Sequence, residues 1–202
     1  MATIRVDKNG NAIGKSGNDT VFGDNRDNAI GGQGGNDVLY GRSGRDVIVG
    51  GAGNDRVYGD GGNDALAGSN GNDTLYGGSG NDILAGSQGH DTLVGGAGSD
   101  FFAFDMRPST NDIDVIDDFG VKADTILLYK KFFKVAADST GFIKSSALWI
   151  GSAAHDSDDR LVYDNTTGAL FYDPDGIGAK AAVQFAQLDA NLKLTRKDFL
   201  ML

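Results

Sequence analysis

The chain has 202 residues, the size of one domain or two small ones, and its formal charge is −10 at pH 7. All 28 acidic residues are Asp, which favours turns and cation sites over long solvated helices. The sequence has no stripe of basic residues, so a nucleic-acid partner is not expected. The lack of Cys excludes disulfides and thiolate metal sites, and no apolar segment is long enough to predict stable membrane insertion.

Residues 1–13 are predicted to form a lead-in strand and turn that start a stack of repeats. The first residues, Met1–Asp7, contain charged side chains and no apolar core, so they do not resemble a secretory signal peptide. Taken alone, this beginning would indicate a cytoplasmic protein, but the repeats that follow point to a different location.

Residues 14–103 form ten consecutive nine-residue units of the pattern Gly-x-x-Gly-x-Asp-x-apolar-x. The first position is always Gly, the fourth is Gly except at Arg26, and the sixth is Asp except at Asn28. Since Gly adopts positive φ freely, we expect the first and fourth positions to form a tight turn with inward carbonyl groups. The apolar eighth residue and its two neighbours then predict a three-residue strand in each unit.

Two units make a coil of 18 residues, and stacked coils place unit n above unit n+2 at the strand spacing of about 4.8 Å. The sequence therefore predicts an all-β fold, a right-handed parallel β-roll with a mostly β C-terminal cap. It also predicts that the sixth-position side chains form two columns. One column holds Asp19, Asp37, Asp55, Asp73 and Asp91, and the other holds Asn28, Asp46, Asp64, Asp82 and Asp100.

Neighbouring carboxylates in such a column repel each other by roughly 3 kcal/mol at about 5 Å and an effective dielectric constant of about 20. A divalent cation between successive coils would remove this repulsion. Oxygen donors without nitrogen or sulfur favour Ca²⁺, which accepts six to eight oxygens in irregular geometry. We expect about seven to eight ions, and the gap between Asn28 and Asp46 should be the weakest because Asn is uncharged and Arg26 adds a positive charge.

The block of repeats resembles the RTX, or hemolysin-type calcium-binding, repeats. Two later segments extend the resemblance: residues 114–128 are similar to the segment after the roll in serralysin-type C-terminal domains, and residues 160–176 resemble other secreted RTX proteins. The resemblance implies a parallel β-roll with calcium between units n and n+2. It also implies export from a Gram-negative bacterium by a type I secretion apparatus, with an uncleaved C-terminal signal and an extracellular location.

By the same resemblance, the metal ligands would be sixth-position side chains and backbone carbonyls of positions one to four. The carbonyl candidates among the glycines are Gly17, Gly32, Gly35, Gly44, Gly50, Gly53, Gly59, Gly62, Gly68, Gly71, Gly77, Gly80, Gly86 and Gly95. The side-chain candidates are the nine Asp residues of the two columns and Asn28. Low cytosolic calcium would leave such a chain unfolded, and extracellular calcium would fold it.

Residues 104–202 are predicted to form the capping and secretion-signal region, mostly β with room for one short helix. Residues 161–163, 169–172 and 182–185 have strand-forming sequences, and a hairpin turn is expected at residues 164–168. The last residues, 198–202, fit either an export signal or a closing β-strand.

Two groups of acidic residues leave alternatives open. The first either holds a further ion near the cap or forms a solvated edge, and comprises Asp112, Asp114, Asp117, Asp118 and Asp124. The second either contributes to a calcium site or forms a turn, and comprises Asp173, Asp175 and Gly176. A turn is favoured for the second group because the spacing and the Glu of an EF-hand loop are missing.

No His-Glu-x-x-His, no Gly-x-Ser-x-Gly and no nucleophile–base pair is present, so we do not expect an enzyme. The sequence predicts a calcium-driven folding and secretion module that stands alone or forms the non-catalytic tail of a larger secreted enzyme. The alternative is a self-contained extracellular protein that acts in adhesion or host interaction, with no passenger or host partner identified. An ice-binding face is disfavoured because Thr20, Thr74 and Thr92 do not form a regular array.

Overall fold

The computed structural model describes residues 1–202 and is built almost entirely of β-strands. The strands up to the end of the roll are β1 (Thr3–Arg5), β2 (Asn11–Ile13), β3 (Thr20–Phe22), β4 (Ala29–Gly34), β5 (Val38–Ser43), β6 (Val47–Ala52), β7 (Arg56–Gly61), β8 (Ala65–Asn70), β9 (Thr74–Ser79), β10 (Ile83–Gln88), β11 (Thr92–Ala97), β12 (Phe101–Phe104), β13 (Asp114–Ile116) and β14 (Thr125–Leu128). The remaining strands are β15 (Leu148–Ile150), β16 (Leu161–Asp164), β17 (Ala169–Tyr172), β18 (Val183–Gln187) and β19 (Phe199–Met201).

Only two short 3₁₀ helices are present, at Ser145–Ala147 and Arg196–Asp198. Neither has the length or the apolar character that a helix needs to cross a bilayer. The second begins with a capping box, in which Thr195 and Asp198 satisfy each other's backbone N–H groups.

Two sheets face each other across the roll, and all strand pairs within the roll are parallel. The first sheet has the order β1-β3-β5-β7-β9-β11-β13-β18-β17-β16-β15, and the second has the order β2-β4-β6-β8-β10-β12-β14-β19. Within the repeats each residue pairs with the residue 18 positions later, as Val57 does with Leu75. The predicted parallel β-roll built from two units per coil is therefore confirmed.

The core between the sheets is a single layer of eighth-position side chains. In the first sheet these are Val21, Leu39, Val57, Leu75 and Leu93, and in the second Ile30, Ile48, Leu66, Leu84 and Phe102, all at most 3% exposed. Each coil thus buries two apolar side chains of this kind, which leaves little hydrophobic burial to offset unfavourable electrostatics in the turns.

The strands of the central roll are longer than the predicted three residues. Strands β4 to β11 have six residues each, from the seventh position of one unit to the third position of the next. They cross the unit boundary with a bend at the second position, where φ lies between 69° and 120° in units three to ten. Five of these second positions carry a residue other than Gly, for example Arg42 with φ 81°.

The prediction that the first-position glycine has positive φ is wrong. Positive φ occurs at the second and fourth positions of units three to ten, with values of 103° to 151° at the fourth. The first-position glycine is required for a different reason, which concerns the carboxylate of its own unit.

The stack continues beyond the last repeat with a different spacing. Strand β13 pairs in parallel with β11, and β14 pairs in parallel with β12, at separations of 23 and 24 residues instead of 18. Aromatic side chains close this end of the roll. Phe104 at the end of β12 and Phe133 after β14 both pack edge-on against Phe185 of β18.

The rest of the cap agrees with the predicted strands. Strands β16, β17 and β18 form an antiparallel meander at the predicted places, and Gly168, with φ 83°, ends the predicted turn. The final strand β19 pairs with β14, so the structure shows the closing strand, while the export signal stays a prediction.

Candidate metal centre

The sixth-position side chains form the two predicted columns inside the turns. In each column the Oδ1 atom of one Asp accepts a hydrogen bond from the backbone N–H of the sixth residue one coil earlier, at 2.6–2.9 Å. All ten side chains are at most 4% exposed. The columns therefore consist of buried carboxylates at the spacing of the coils.

The second carboxylate oxygen has no hydrogen-bond donor in eight units. These unpartnered, buried Oδ2 atoms belong to Asp37, Asp46, Asp55, Asp64, Asp73, Asp82, Asp91 and Asp100. A buried anionic oxygen without a partner is strongly unfavourable. The eight units are the same ones whose second residue has positive φ, so the turn conformation and the free oxygen occur together.

The first-position glycine leaves space beside each free oxygen. A Cβ atom on Gly32 would lie 2.4 Å from Asp37 Oδ2 and 2.4 Å from the carbonyl oxygen of Gly50 in the next coil. At Gly77 the corresponding distances to Asp82 Oδ2 and the Gly95 carbonyl oxygen are 2.5 and 2.6 Å. Any side chain here would displace the carboxylate, which explains why the first position is invariably Gly.

The donors gathered in each turn suit a hard cation. The carboxylate oxygen and the carbonyl oxygen around Gly32 lie at most about 5 Å apart, a separation that one Ca²⁺ can bridge with Ca–O distances of about 2.3–2.6 Å. Both donors are oxygens, and the free carboxylate oxygen lacks any competing hydrogen bond. The residues present therefore fit Ca²⁺.

Units one and two lack this arrangement. In unit one, the N–H groups of Ala2 and Lys15 donate to the two oxygens of Asp19, at 2.7 and 2.8 Å. In unit two, the N–H of Asp24 donates to Asn28 Oδ1 at 2.8 Å. We call these turns closed and those of units three to ten open. The sequence predicted a weak gap above Asn28, and the structure shows that the gap above Asp19 has no free oxygen either.

Arg26 holds the closed turn of unit two in place. Its guanidinium forms an ion pair with Asp24 at 2.6 Å and donates to the Lys8 carbonyl oxygen at 2.8 Å. The positive charge predicted to weaken this site thus ties the unit to the lead-in coil.

Asp114 and Asp124, two residues of the acidic group at residues 112–124, extend the two columns of sixth-position side chains. Asp114 Oδ1 accepts from the N–H of Asp91 at 3.1 Å, and Asp124 Oδ1 accepts from the N–H of Asp100 at 2.9 Å. Asp124 is closed like unit one, since the N–H of Gly120 donates to its Oδ2 at 2.7 Å. The sequence predicted gaps that begin at Asp19 and Asn28, whereas the free oxygens begin one coil later, at Asp37 and Asp46.

The pKa values of the open and the closed carboxyl groups are shifted in opposite directions, the first by burial and the second by backbone hydrogen bonds. Burial raises the pKa of Asp64 to about 7, and it raises the pKa of Asp46 and Asp73 to about 6. The hydrogen bonds donated by the N–H groups of Ala2 and Lys15 lower the pKa of Asp19. Without a cation Asp46, Asp64 and Asp73 therefore take up protons at about pH 6 to 7, whereas Asp19 stays ionised there.

The fifth position forms a ladder that the sequence analysis missed. The N–H of Asn54 donates to Asn36 Oδ1, and the N–H of Asn72 donates to Asn54 Oδ1, each at 2.9 Å. The signal is present in the sequence, because six of the ten fifth positions are Asn. This ladder joins successive turns without using the sixth-position carboxylates.

The other acidic group, at residues 173–176, lies in a loop of the cap, where a carboxylate accepts a backbone hydrogen bond. The N–H of Asp175 donates to Asp173 Oδ1 at 3.1 Å, as expected for a turn. In the neighbouring loop His155, Asp156 and Asp159 bring one ligand atom each within 4.8 Å of one another. However, Asp159 Oδ2 already accepts from the N–H groups of His155 and Asp156, so it is held by its own loop.

Comparison with known proteins identifies the repeats. The family model of the RTX calcium-binding nonapeptide repeat matches four times, at residues 13–48, 31–66, 40–75 and 67–102. A comparison with curated protein sequences found no match.

Two solved structures are similar over most of this chain. The AlgE6R3 subunit of the Azotobacter vinelandii mannuronan C5-epimerase has 20% identity and a TM-score of 0.37, and the match covers 93% of this chain and 80% of that one. The extracellular lipase LipA from Serratia marcescens has 14% identity and a TM-score of 0.29, with 96% of this chain and 40% of the lipase covered. This chain therefore spans less than half the length of the lipase.

Proposed function

Residues 13–102 are RTX calcium-binding nonapeptide repeats, and on this premise we propose that the chain is a non-catalytic, calcium-dependent folding module of a secreted protein. The observation that carries the proposal is the set of eight buried carboxylate oxygens that have no hydrogen-bond donor. In the proposal, one Ca²⁺ binds beside each of them, together with backbone carbonyl oxygens of the same turn and the next coil.

A cation beside each open turn would compensate the charge of its carboxylate. Each open unit contributes one carboxylate whose charge the protein leaves uncompensated, and the thin core cannot offset eight such groups. Calcium suits the irregular arrangement of oxygens around the first-position glycines better than Mg²⁺, which requires a smaller and stricter octahedron.

The same balance would make calcium a folding switch. In the low-calcium cytosol the charged columns would disfavour the roll, so the chain would remain unfolded and suitable for export by a type I secretion apparatus. Outside the cell, calcium at about 10⁻⁴–10⁻³ M would bind the folded state and stabilise it. The acidic composition of the chain supports this role of calcium.

Circular dichroism tests the proposal directly. At pH 7.5 the protein in chelator should show little ordered structure, and it should acquire a β spectrum with millimolar CaCl₂ but not with the same concentration of MgCl₂. Equilibrium dialysis at saturating calcium should give about eight bound ions, one for each open turn. A protein that is fully folded in chelator at this pH would contradict the switch.

A further inference from the structure

The cap contains a cleft in which positively charged side chains meet without a negative one. The cleft has a volume of about 460 Å³ and lies between the segment after β12, the segment after β14 and the loop from β17 to β18. Its lining includes Arg107, Lys131, Lys134 and Lys180 but no Asp. We call it the basic cleft; its volume lies in the range of sites that bind small molecules.

The four positive charges of the cleft have no anionic partner. None of these side chains forms an ion pair. Lys134 Nζ donates to the Lys130 carbonyl oxygen at 2.8 Å, and Lys131 Nζ lies 5.0 Å from the centre of the Phe132 ring. In a chain with 28 Asp against 18 Lys and Arg, such a cleft is opposite in charge to the molecule as a whole. An anion bound between the four side chains would remove their mutual repulsion.

The carboxylates nearest in sequence to the cleft are bonded elsewhere. Asp173 Oδ1 accepts from the N–H of Asp175 at 3.1 Å, and Asp175 Oδ2 accepts from the N–H of Lys180 at 3.2 Å. Asp105 Oδ1 accepts from Ser87 Oγ of the roll at 3.4 Å. None of the three carboxylates lines the cleft, so they do not neutralise it from within.

A tyrosine hydroxyl gives an observation that is independent of charge. Tyr172 lines the cleft, is only 7% exposed, and packs its ring edge-on against Phe133. Its hydroxyl oxygen accepts from the N–H of Lys134 at 2.9 Å, but its own O–H donates to no acceptor in the protein. A fixed O–H donor beside four cations suits an acceptor that is an anionic oxygen.

The rest of the lining is apolar. It consists of Pro108, Phe132, Pro174 and Val183. Such side chains contact the ring or the carbon chain of an organic molecule, whereas a bare inorganic ion has no use for them. The cleft therefore fits a small organic molecule that carries an anionic group.

We propose that the basic cleft binds a small organic oxyanion, whose phosphate or carboxylate group lies between Arg107, Lys131, Lys134 and Lys180 and accepts the O–H of Tyr172. Arg107 offers a planar fork of N–H donors, and the three lysines contribute compact positive charges. The site lies in the cap and contains none of the sixth-position carboxylates. It is therefore a second binding function, separate from the proposed calcium binding of the roll.

Three sugars with the same ring test the proposal and distinguish the anionic groups. Glucose 6-phosphate carries a phosphate, glucuronate carries a carboxylate, and glucose carries neither. Binding to the full chain is measured by calorimetry at pH 7.5 in saturating calcium. Glucose 6-phosphate should bind with a Kd of about 1 mM or lower, glucuronate more weakly because it has a single charge, and glucose not detectably. High salt should weaken the binding of both anions.

The variant Lys131→Gln/Lys180→Gln removes two positive charges from the cleft. It should weaken the binding of glucose 6-phosphate by at least about tenfold. The matched control is Lys193→Gln/Lys197→Gln, which changes the net charge equally at two exposed lysines of the cap that do not line the cleft. The control should change the affinity by less than about twofold.

Tyr172→Phe tests the hydroxyl, since it keeps the ring that packs against Phe133 and removes only the O–H donor. It should weaken the binding of glucose 6-phosphate by about threefold or more. Circular dichroism in saturating calcium checks the fold of every variant. The inference would be overturned if glucose bound as well as glucose 6-phosphate, if neither anion bound at about 20 mM, or if the two double variants lost affinity equally. None of these results depends on the number of calcium ions in the roll.

Discussion

Unit one and unit seven have the same consensus residues but different turns. In unit one, Asp19 accepts backbone hydrogen bonds with both oxygens, whereas in unit seven Asp73 Oδ2 has no donor. The consensus is therefore not sufficient for a candidate site.

The difference follows from what lies beneath each turn. Unit three is the first whose turn rests on another repeat turn, and a Cβ on its Gly35 would come within 2.6 Å of the Gly17 carbonyl carbon. A Cβ on Gly17 would meet nothing within 4 Å. We infer that the open conformation is imposed by the repeat turn one coil earlier, and that units one and two close because the lead-in coil lacks such a turn.

The largest expected effect is that of pH on the calcium-free protein. The open carboxyl groups have raised pKa values, about 7 for Asp64 against an ordinary value of 3.8, so the folded state binds protons that the unfolded state does not. The unfolding free energy of the calcium-free protein should therefore rise as the pH falls from about 7 to about 4, and it should be lost as the pH rises through this window.

Circular dichroism in chelator across this pH range would measure the effect. Part of the β spectrum should appear near pH 5 without calcium, and calorimetry should show weaker calcium binding there than at pH 7.5, because protons and calcium compete for the same oxygens. Asp19 should contribute little to either change, since its pKa is lowered. Calcium affinity that is independent of pH would contradict the assignment of the open carboxylates.

The second prediction compares two fourth-position glycines. A Cβ at Gly71, where φ is 125°, would lie 2.1 Å from the Gly53 carbonyl oxygen, whereas Gly17 has open space. We expect Gly71→Ala to lower the unfolding free energy in saturating calcium by about 3 kcal/mol or more, from backbone strain and overpacking together. Gly17→Ala should change it by less than about 1 kcal/mol. Denaturant titration measures both, and equal losses would remove the distinction between open and closed turns.

The third prediction concerns the number of bound ions. Asp73→Asn should remove one ion or weaken its binding by at least about tenfold, because it takes the charge from an open turn. Asp19→Asn should leave the ion count unchanged, although it weakens a hydrogen bond to Ala2 or Lys15. Equilibrium dialysis distinguishes these results, and the loss of one ion in Asp19→Asn would show that the gap above unit one is occupied.

The smallest effect is expected from restoring the consensus in unit two. The variant Asp24→Gly/Arg26→Gly/Asn28→Asp gives this unit all the residues of an open unit. We expect no additional ion, because the lead-in coil beneath it is unchanged and unit one is closed in spite of its consensus residues. Equilibrium dialysis measures the number of bound ions, and the variant Asp46→Asn, which should lose one ion, shows the size of a one-ion change. One additional ion would show that local sequence, and not the turn beneath, decides the conformation.

Much of the roll could be predicted because its contacts are periodic. The spacing of nine residues places Asp55, Asp73 and Asp91 in one column and Val57, Leu75 and Leu93 in one core layer, and the structure has both. The fifth-position ladder was predictable from the same period, since Asn36, Asn54 and Asn72 repeat every 18 residues.

Other features depend on contacts that have no period. Gln33 and Arg42 have positive φ at the second position, although neither residue type indicates it. Segment 105–114 meets unit nine only because the stack continues with a separation of 23 residues. A pattern search with a fixed period cannot find that separation.

The sequence by itself determined the register of the roll, because Gly, Asp and apolar residues spaced by nine stay aligned only when coils are offset by whole units. It also determined the chemistry of the turns, since the residues that recur at the first, fourth and sixth positions offer carbonyl and carboxylate oxygens. The tertiary structure decided which of these oxygens are free. That choice depends on the turn 18 residues earlier: Gly71 lies against the turn of Gly53, whereas Gly17 has no repeat turn beneath it. It also depends on the non-repeating segment that covers Asp91. Neither contact is encoded within a single unit.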